Sequence, residues 1–466
     1  MSLSAPMPSP GGSPPLRFRG GTPGALAPLG LFLAGVSWLG LSGAPDETGF
    51  WPVLLAALTL GILLSRDKEG YTQAVVAGMA RPLVMIMVLA WILAGVLGTL
   101  LRESGMVETL VWAARSVGVS GGGYVAVAFL VTVVFSTATG TSLGTLLVCT
   151  PLLYPVGPAL GADPAFLLGA ILGGATFGDN VSPISDTTIA SAGTQGADLA
   201  GVVRSRMRYA LPAAAVSLAA ALLLGGRGSG ATPLAGAPEA PPIAGAVMLL
   251  APLVVLGLLL RRRGLMESLM AGVLLAVVLG LMFGAFRPSD LLGIDHANFI
   301  ATGLLLEGMR RAVGISIFTL LLMGLVGGIE ASGLMDRLLE VARSRARGPR
   351  SAEGWIFAAV SAAAILTTHA VVAILAVGPL TKEAGATFGL GPYRRANILD
   401  VTVCTYPFLL PFFIPTILAS ALTGGFQTAP RLSPWAAGLH NVHSWALLAV
   451  ILLAIATGWG REDRRW

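Results

Sequence analysis

The sequence predicts an all-α polytopic membrane protein of about 12 transmembrane segments, arranged as two inverted repeats with broken or re-entrant helices. Three observations carry this expectation. The 466 residues are 55% hydrophobic and 11% charged, with a mean hydropathy of +0.81, whereas a soluble domain carries roughly 25% charged residues. Apolar stretches of spanning length follow one another with short connections, which leaves no room for a large soluble domain. Residues of the first half also recur in the second at one fixed spacing.

In chain order, residues 1–25 are rich in Pro, Gly and Ser and carry only Arg17 and Arg19 as charges. That composition predicts a disordered cytoplasmic tail and no cleaved secretory signal. Apolar segments then run over residues 26–42, 50–65, 82–101, 123–157, 165–181, 209–225, 242–260, 265–286, 312–329, 355–380, 396–424 and 442–458. The stretch 226–241, rich in Gly, Ala and Pro and charged only at Arg227 and Glu239, reads as a linker between a first transmembrane repeat, 26–225, and a second, 242–458. Residues 459–466 are expected to form a cytoplasmic C-terminal tail.

The repeat is visible residue by residue. Ser104-Gly105-Met106 recurs as Ser332-Gly333-Leu334, Ala114-Arg115-Ser116 as Ala342-Arg343-Ser344, and Pro151, Pro164 and Pro183 as Pro379, Pro392 and Pro411, every pair 228 residues apart. Gly78-Met79-Ala80-Arg81 matches Gly308-Met309-Arg310-Arg311 after a two-residue shift. Three prolines in one register point to two copies of one fold.

The net charge of +6 and pI near 9.8 sit mainly in arginines beside apolar segments. There they orient helices in a lipid bilayer and give no sign of a nucleic-acid partner. Arg261-Arg262-Arg263, the arginine-rich 337–350 loop and Arg461, Arg464 and Arg465 are expected in the cytoplasm with both termini of a plasma-membrane protein, and Asp46 and Glu47 outside. Arg204, Arg206 and Arg208 reach the cytoplasm only if the chain re-crosses, wholly or as a re-entrant hairpin, between residues 182 and 203; the same device after Pro411 returns the C-terminus. The 102–122 loop is then outside and its copy at 330–353 inside, so the repeats are inverted, with Arg310, Arg311, Arg394 and Arg395 on the minority side. Cys149 and Cys404 lie in apolar segments and match no metal spacing, which argues against a disulfide framework or zinc site.

One stretch is chemically out of place in lipid. Residues 178–188 put Asp179, Asn180, Ser182, Pro183, Ser185, Asp186, Thr187 and Thr188 at the end of an apolar segment. Pro183 lacks a backbone donor, so the helix should break there, and broken backbone with oxygen ligands is how membrane transporters hold small hard cations. The competing reading is a polar loop outside the bilayer. The 123–157 segment, too long for one crossing, carries Ser136-Thr137-Ala138-Thr139-Gly140-Thr141-Ser142 and then Gly144-Thr145. It reads as a discontinuous helix facing the Asp179 stretch, or as small-residue packing. In the second copy His369 stands where Thr141 stands in the first, after Thr367 and Thr368, and Asp400 lies eight residues beyond Pro392. His369 is either a proton-exchanging group or an interhelical hydrogen-bond donor, and Asp400 either a buried functional acid or half of an interfacial salt bridge with Arg394 or Arg395. Tyr406-Pro407-Phe408-Leu409-Leu410-Pro411 marks the matching break with fewer ligands. Gly118-Val119-Ser120-Gly121 matches the GxSG of intramembrane serine proteases but reads as a turn, and no HExxH, Walker loop or GxGxxG is present, so neither an enzyme nor a cofactor is expected.

Phe177 to Thr188, with Gly193 and Asp198 downstream and Ala138-Thr139-Gly140-Thr141-Ser142-Leu143-Gly144-Thr145 upstream, resembles the NhaC-type sodium/proton antiporters of the ion transporter superfamily. In that family the second half carries an acidic residue followed by a proline-containing tract, which Asp400 and Pro407 to Pro411 resemble, while His369 replaces a small amide. The resemblance implies a secondary antiporter exchanging Na⁺ for H⁺. Asp179 and Asp186 would supply charge, and Asn180, Ser182, Ser185, Thr187, Thr188, Thr139, Thr141 and Ser142 the oxygens, with His369 and Asp400 as second-half candidates. Organic-solute exchangers among the family's relatives supply the alternative, a small carboxylate or amino acid moved by ion coupling. A homodimer is compatible with this class, though no motif decides it.

Overall fold

The computed structural model describes residues 15–42, 48–226, 243–261, 263–296, 299–426 and 429–461. Most of the expected linker, Asp46 and Glu47, Arg262, and Arg464 and Arg465 lie outside the described residues. The helices of the first half are α1 (Gly21–Leu41), α2 (Phe50–Leu64), α3 (Lys68–Met79), α4 (Pro82–Glu103), α5 (Met106–Ser116), α6 (Gly121–Thr139), α7 (Ser142–Leu153), α8 (Pro164–Val181), α9 (Asp186–Gln195) and α10 (Leu199–Leu224). Those of the second are α11 (Ile243–Met248), α12 (Leu250–Leu260), α13 (Leu265–Met282), α14 (Pro288–Leu291), α15 (Leu304–Ala331), α16 (Leu334–Arg345), α17 (Pro349–Thr367), α18 (Ala370–Phe388), α19 (Pro392–Val403), α20 (Ile414–Ala421), α21 (Pro434–Leu439) and α22 (Val442–Thr457). The all-helical expectation has one exception, a small antiparallel hairpin pairing Gly293–Asp295 with Ile300–Thr302.

Among the described residues eight helices are long and apolar enough to cross a membrane, with shorter apolar helices at Phe50–Leu64, Ser142–Val156 and Val442–Thr457. The tally falls short of twelve apolar segments because α2 and α22 have only 15 and 16 residues and because a break divides the 396–424 segment. Residues 396–424 become α19, a 3₁₀ turn at Tyr406–Phe408, and α20.

The repeat register governs the helices themselves. α5, α6, α7, α8 and α9 start at Met106, Gly121, Ser142, Pro164 and Asp186, and α16, α17, α18, α19 and α20 start 228 residues later at Leu334, Pro349, Ala370, Pro392 and Ile414. The two copies enter the bundle from opposite ends. At the far end, Arg115 of α5 donates to the Ala159 carbonyl at 3.0 Å, the Asp163 amide donates to the Gly225 carbonyl at 2.7 Å, and Gly121 lies against Gly226. Helix α6 therefore runs inward from that end, and α7 returns to it. Helix α17 starts at the near end, where Glu353 binds Arg461 and Arg394 donates to the Trp459 carbonyl. Helix α8 runs parallel to α6, close enough that a Cβ on Gly178 would lie 2.3 Å from the backbone of Ser136 and Thr137. At 10 and 8 residues, α9 and α20 span roughly 15 and 12 Å, short of the roughly 30 Å of a hydrocarbon core.

Several expectations are corrected. Residues 15–25 are ordered: the amides of Leu16 and Arg19 donate to the Ala331 and Leu64 carbonyls, and Phe18 is buried edge-on against Tyr71. Residues 459–461 likewise dock on the bundle through Trp459 and Arg461. The 102–122 and 330–353 loops contain the helices α5 and α16; in α5 apolar residues such as Met106, Val107 and Val111 face the core. Arginine position also misled. Arg204 and Arg208 are exposed, but Arg206 and Arg394 are fully buried ion-pair partners, so they report no membrane side. Arg311, likewise placed on the minority side, is bound to Glu307 at 2.7 Å.

Candidate functional site

Two interrupted helices meet at their breaks. Gly140, with φ +68°, ends α6 in the left-handed region that only glycine adopts without strain. Extended Thr141 then caps α7, its hydroxyl accepting from the Gly144 amide at 3.3 Å. Opposite, α8 ends at Val181, and the Ser182–Ser185 turn around Pro183 starts α9. A Cβ on Gly140 would lie 2.6 Å from Ile184 Cγ1 and 3.0 Å from the Ser185 amide. Gly140→Ala is therefore expected to cost about 1–2 kcal/mol in backbone strain alone and to displace Ser185, lowering both the thermal midpoint and transport.

The contact assembles oxygens around Asp179, which is 7% exposed. Ser142, the first residue of α7, donates to Oδ2 at 2.8 Å, and Ser185, the residue before α9, donates to Oδ1 at 2.8 Å. Thr187 donates to the Asp179 carbonyl at 3.1 Å and lies 2.9 Å from the Ser185 hydroxyl. The carboxylate thus faces the N-terminal ends of two half-helices, where backbone dipoles favour negative charge. Hydroxyls that donate to a carboxylate can rotate to offer lone pairs to a cation beside it.

A second cluster adjoins the first. Asn180 Nδ2 donates to Asp400 Oδ1 at 3.1 Å, and Arg206 Nη1 donates to Asp400 Oδ2 at 2.7 Å and to the Asn180 carbonyl at 2.6 Å. Arg206 also reaches Thr188, Ser191 and Asn397. Asp400 is therefore a buried ion pair with Arg206, not an interfacial one with Arg394 or Arg395: α19 enters the core, and Arg394 turns to Glu353 at 2.9 Å.

The remaining candidates make no hydrogen bond to the Asp179 carboxylate among the described residues. Asp186 is exposed in the first turn of α9, and among the described residues no hydrogen bond joins it to Asp179. The Ser182 hydroxyl accepts from the Ile184 amide at 3.4 Å within its own turn. Thr139 donates back to the Phe135 carbonyl at 2.9 Å. His369 occupies the second-copy break, whose Thr368 and His369 backbone angles (φ 50° and −136°) repeat those of Gly140 and Thr141 (68° and −140°). Thr368 is a β-branched residue held left-handed, a strained arrangement, and its hydroxyl and His369 Nδ1 are buried with no partner among the described residues. Ser120 is exposed at the start of α6, and among the described residues its hydroxyl meets no histidine or carboxylate.

Sequence reasoning missed Arg206, along with Ser191 and Asn397. The signal was there: Arg206 lies on the stripe of Val202, Tyr209, Ala210 and Ala213 that α10 buries, whereas Arg204 and Arg208 lie off it.

Comparison with known proteins bears on these residues. Residues 26–226, which hold the whole Asp179 cluster, match the Na⁺/H⁺ antiporter family. The Na⁺/H⁺ antiporter NhaC of Alkalihalophilus pseudofirmus is 27% identical over 305 residues, 62% of this chain and 64% of that protein. The malate-2H⁺/Na⁺-lactate antiporter of Bacillus subtilis is 29% identical over 186 residues, 40% of this chain and 39% of that protein. The chain thus spans less than two thirds of the length of these relatives. A crystal structure of the Alcanivorax borkumensis YdaH transporter aligns over 93% of this chain and 99% of its own, with 14% identity and a TM-score of 0.41.

Proposed function

We propose that this integral membrane protein, whose residues 26–226 match the Na⁺/H⁺ antiporter family, is a secondary antiporter exchanging Na⁺ for H⁺, with Asp179 as the carboxylate for which the two ions compete. One observation carries the reading. Among the described residues the buried carboxylates are Asp179, Glu353 and Asp400. Glu353 and Asp400 each hold an arginine, whereas Asp179 is held by hydroxyls. A carboxylate out of water is costly as a bare anion, so Asp179 calls for a mobile cation, and a proton or a sodium ion meets that need. Ser142, Ser185 and Thr187 contribute oxygens beside it. Inverted halves that enter from opposite ends supply two related packings for alternating access, with the near end and both termini in the cytoplasm.

Exposed Asp186 is the entry charge that concentrates cations at the mouth. Asp186→Asn is expected to slow sodium-driven flux a few-fold at low ionic strength and hardly at high ionic strength; equal slowing at both would remove that role.

The deciding experiment is proton movement in proteoliposomes after adding NaCl, LiCl, KCl or choline chloride against an imposed pH gradient. Movement with sodium and none with choline supports exchange. Silence with every cation in folded protein favours a second reading, motivated by the malate-2H⁺/Na⁺-lactate relative: an organic-solute exchanger using the unpartnered Thr368 and His369 break.

A further inference from the structure

The Arg206–Asp400 pair has no evident part in exchange, since its charges cancel. Asp400 is saturated. Its Oδ1 accepts from Asn180 Nδ2 at 3.1 Å and from Cys404 Sγ at 3.5 Å, and its Oδ2 from Arg206 at 2.7 Å and Ser191 at 2.9 Å. Every nitrogen of Arg206 is engaged too, Nε with Asn397 at 3.2 Å, Nη1 with Asp400, Thr188 and the Asn180 carbonyl, and Nη2 with Ser191. Neither group is left to bind a transported ion.

Asn180 is the exception within this network. It is the residue after Asp179 on the last turn of α8 and is fully buried. Its amide has one possible sense, because a carboxylate ionised beside an arginine only accepts, so the nitrogen must face Asp400. The backbone is pinned as well, its carbonyl accepting from Arg206 at 2.6 Å. With the nitrogen and the carbonyl both engaged, the amide oxygen Oδ1 is left with no donor among the described residues. A buried amide oxygen without a partner is costly, so a ligand that supplies one is favoured there. Amide oxygens are also good neutral ligands for hard cations.

We propose that Arg206 and Asp400 are positioning residues that hold the Asn180 amide by its nitrogen and carbonyl, so that Oδ1 is presented as a sodium ligand in the same polar interior as Asp179. A proton on Asp179 needs only one acceptor, which the Ser142 or Ser185 hydroxyl can supply, whereas a sodium ion takes several oxygens. The pair therefore sets sodium affinity without touching the ion and leaves the proton step unchanged. The inference rests on the sodium/proton reading above.

The test is a cycle in proteoliposomes, reading the sodium KM and the maximal rate of Na⁺-driven proton movement for wild type, N180A, R206Q/D400N and N180A/R206Q/D400N. R206Q/D400N removes both charges together, so no uncompensated ion is left buried. Loss of an outer partner of an ion ligand typically weakens binding about 10–100-fold. N180A and R206Q/D400N should each raise the sodium KM by about tenfold or more, with similar maximal rates, and the triple variant should be no worse than N180A. Multiplying effects in the triple variant, or an unchanged KM in N180A, would overturn the proposal. If R206Q/D400N is not recovered folded, N180D/D400N takes its place, since it exchanges the carboxylate and amide across one contact at constant charge. A KM at or below wild type then supports the proposal, and a tenfold rise overturns it. A wild type that moves protons with no cation would sink the sodium/proton reading itself, and this proposal with it.

Discussion

Proteoliposomes carrying Asp179→Asn are expected to lose sodium-driven proton movement almost completely, although the protein inserts and folds normally. Asparagine keeps the shape of the side chain, and the Ser142 and Ser185 hydroxyls, which donate to Asp179 at 2.8 Å, can still pair with an amide. What disappears is the charge. Two unit charges 4 Å apart interact by about 4 kcal/mol at an effective dielectric of 20, which corresponds to close to a thousandfold in binding. The amide also cannot carry the exchanged proton at neutral pH, so both halves of the cycle fail together. Flux within tenfold of wild type in this variant would remove Asp179 from the mechanism. A loss accompanied by a collapsed elution profile would show only that the fold had suffered.

The site's first half was legible because its chemistry is dense and local. Asp179, Ser185 and Thr187 lie within nine residues, and Pro183 marks the break. Ser142 stands two residues after Gly140 in a hydroxyl-rich run, and the structure places that glycine at the turn against Ile184. The second cluster was not legible in the same way. Arg206 and Asp400 are 194 residues apart, and nothing local says that they meet. Each instead looked like a familiar surface feature, Arg206 one of three arginines at alternate positions and Asp400 an acid soon after Arg394 and Arg395. Charge near a helix end is ambiguous until the helix's buried face is known. For α10, the stripe through Val202, Tyr209 and Ala213 resolves it.

The fold shows the same division. The 228-residue register found in prolines carried over to helix starts, because a proline fits the first turn of a helix, as Pro164 does in α8 and Pro392 in α19. Elements without such markers were lost. Helix α5 and helix α16 read as loops because charges such as Glu108, Arg115 and Asp336 dilute their apolar faces. The 15–25 segment read as a tail because its order comes from backbone bonds to Ala331 and Leu64, partners far away in the chain.

Glu353→Gln is expected to be the most destabilising single change away from the ion site, costing about 3–5 kcal/mol, the usual penalty for stranding a buried charge. Arg394 and Glu353 are both fully buried. Arg394 is fixed by two bonds to Glu353 at 2.9 and 3.1 Å and by further bonds to Tyr209 and the Ala454 and Trp459 carbonyls. The cluster joins α10, α17, α19 and the end of α22. Glutamine accepts with one oxygen only, so the guanidinium would stay buried without a counter-charge. Arg461→Gln provides the contrast: that side chain is 27% exposed, and losing a partly solvated partner costs about 0–1 kcal/mol. Thermal unfolding in detergent should show a clear drop for E353Q, a small one for R461Q, and a partial recovery for E353Q/R394Q, in which neither charge remains. Equal drops in E353Q and R461Q would mean that Glu353 acts through the surface pair rather than the buried one.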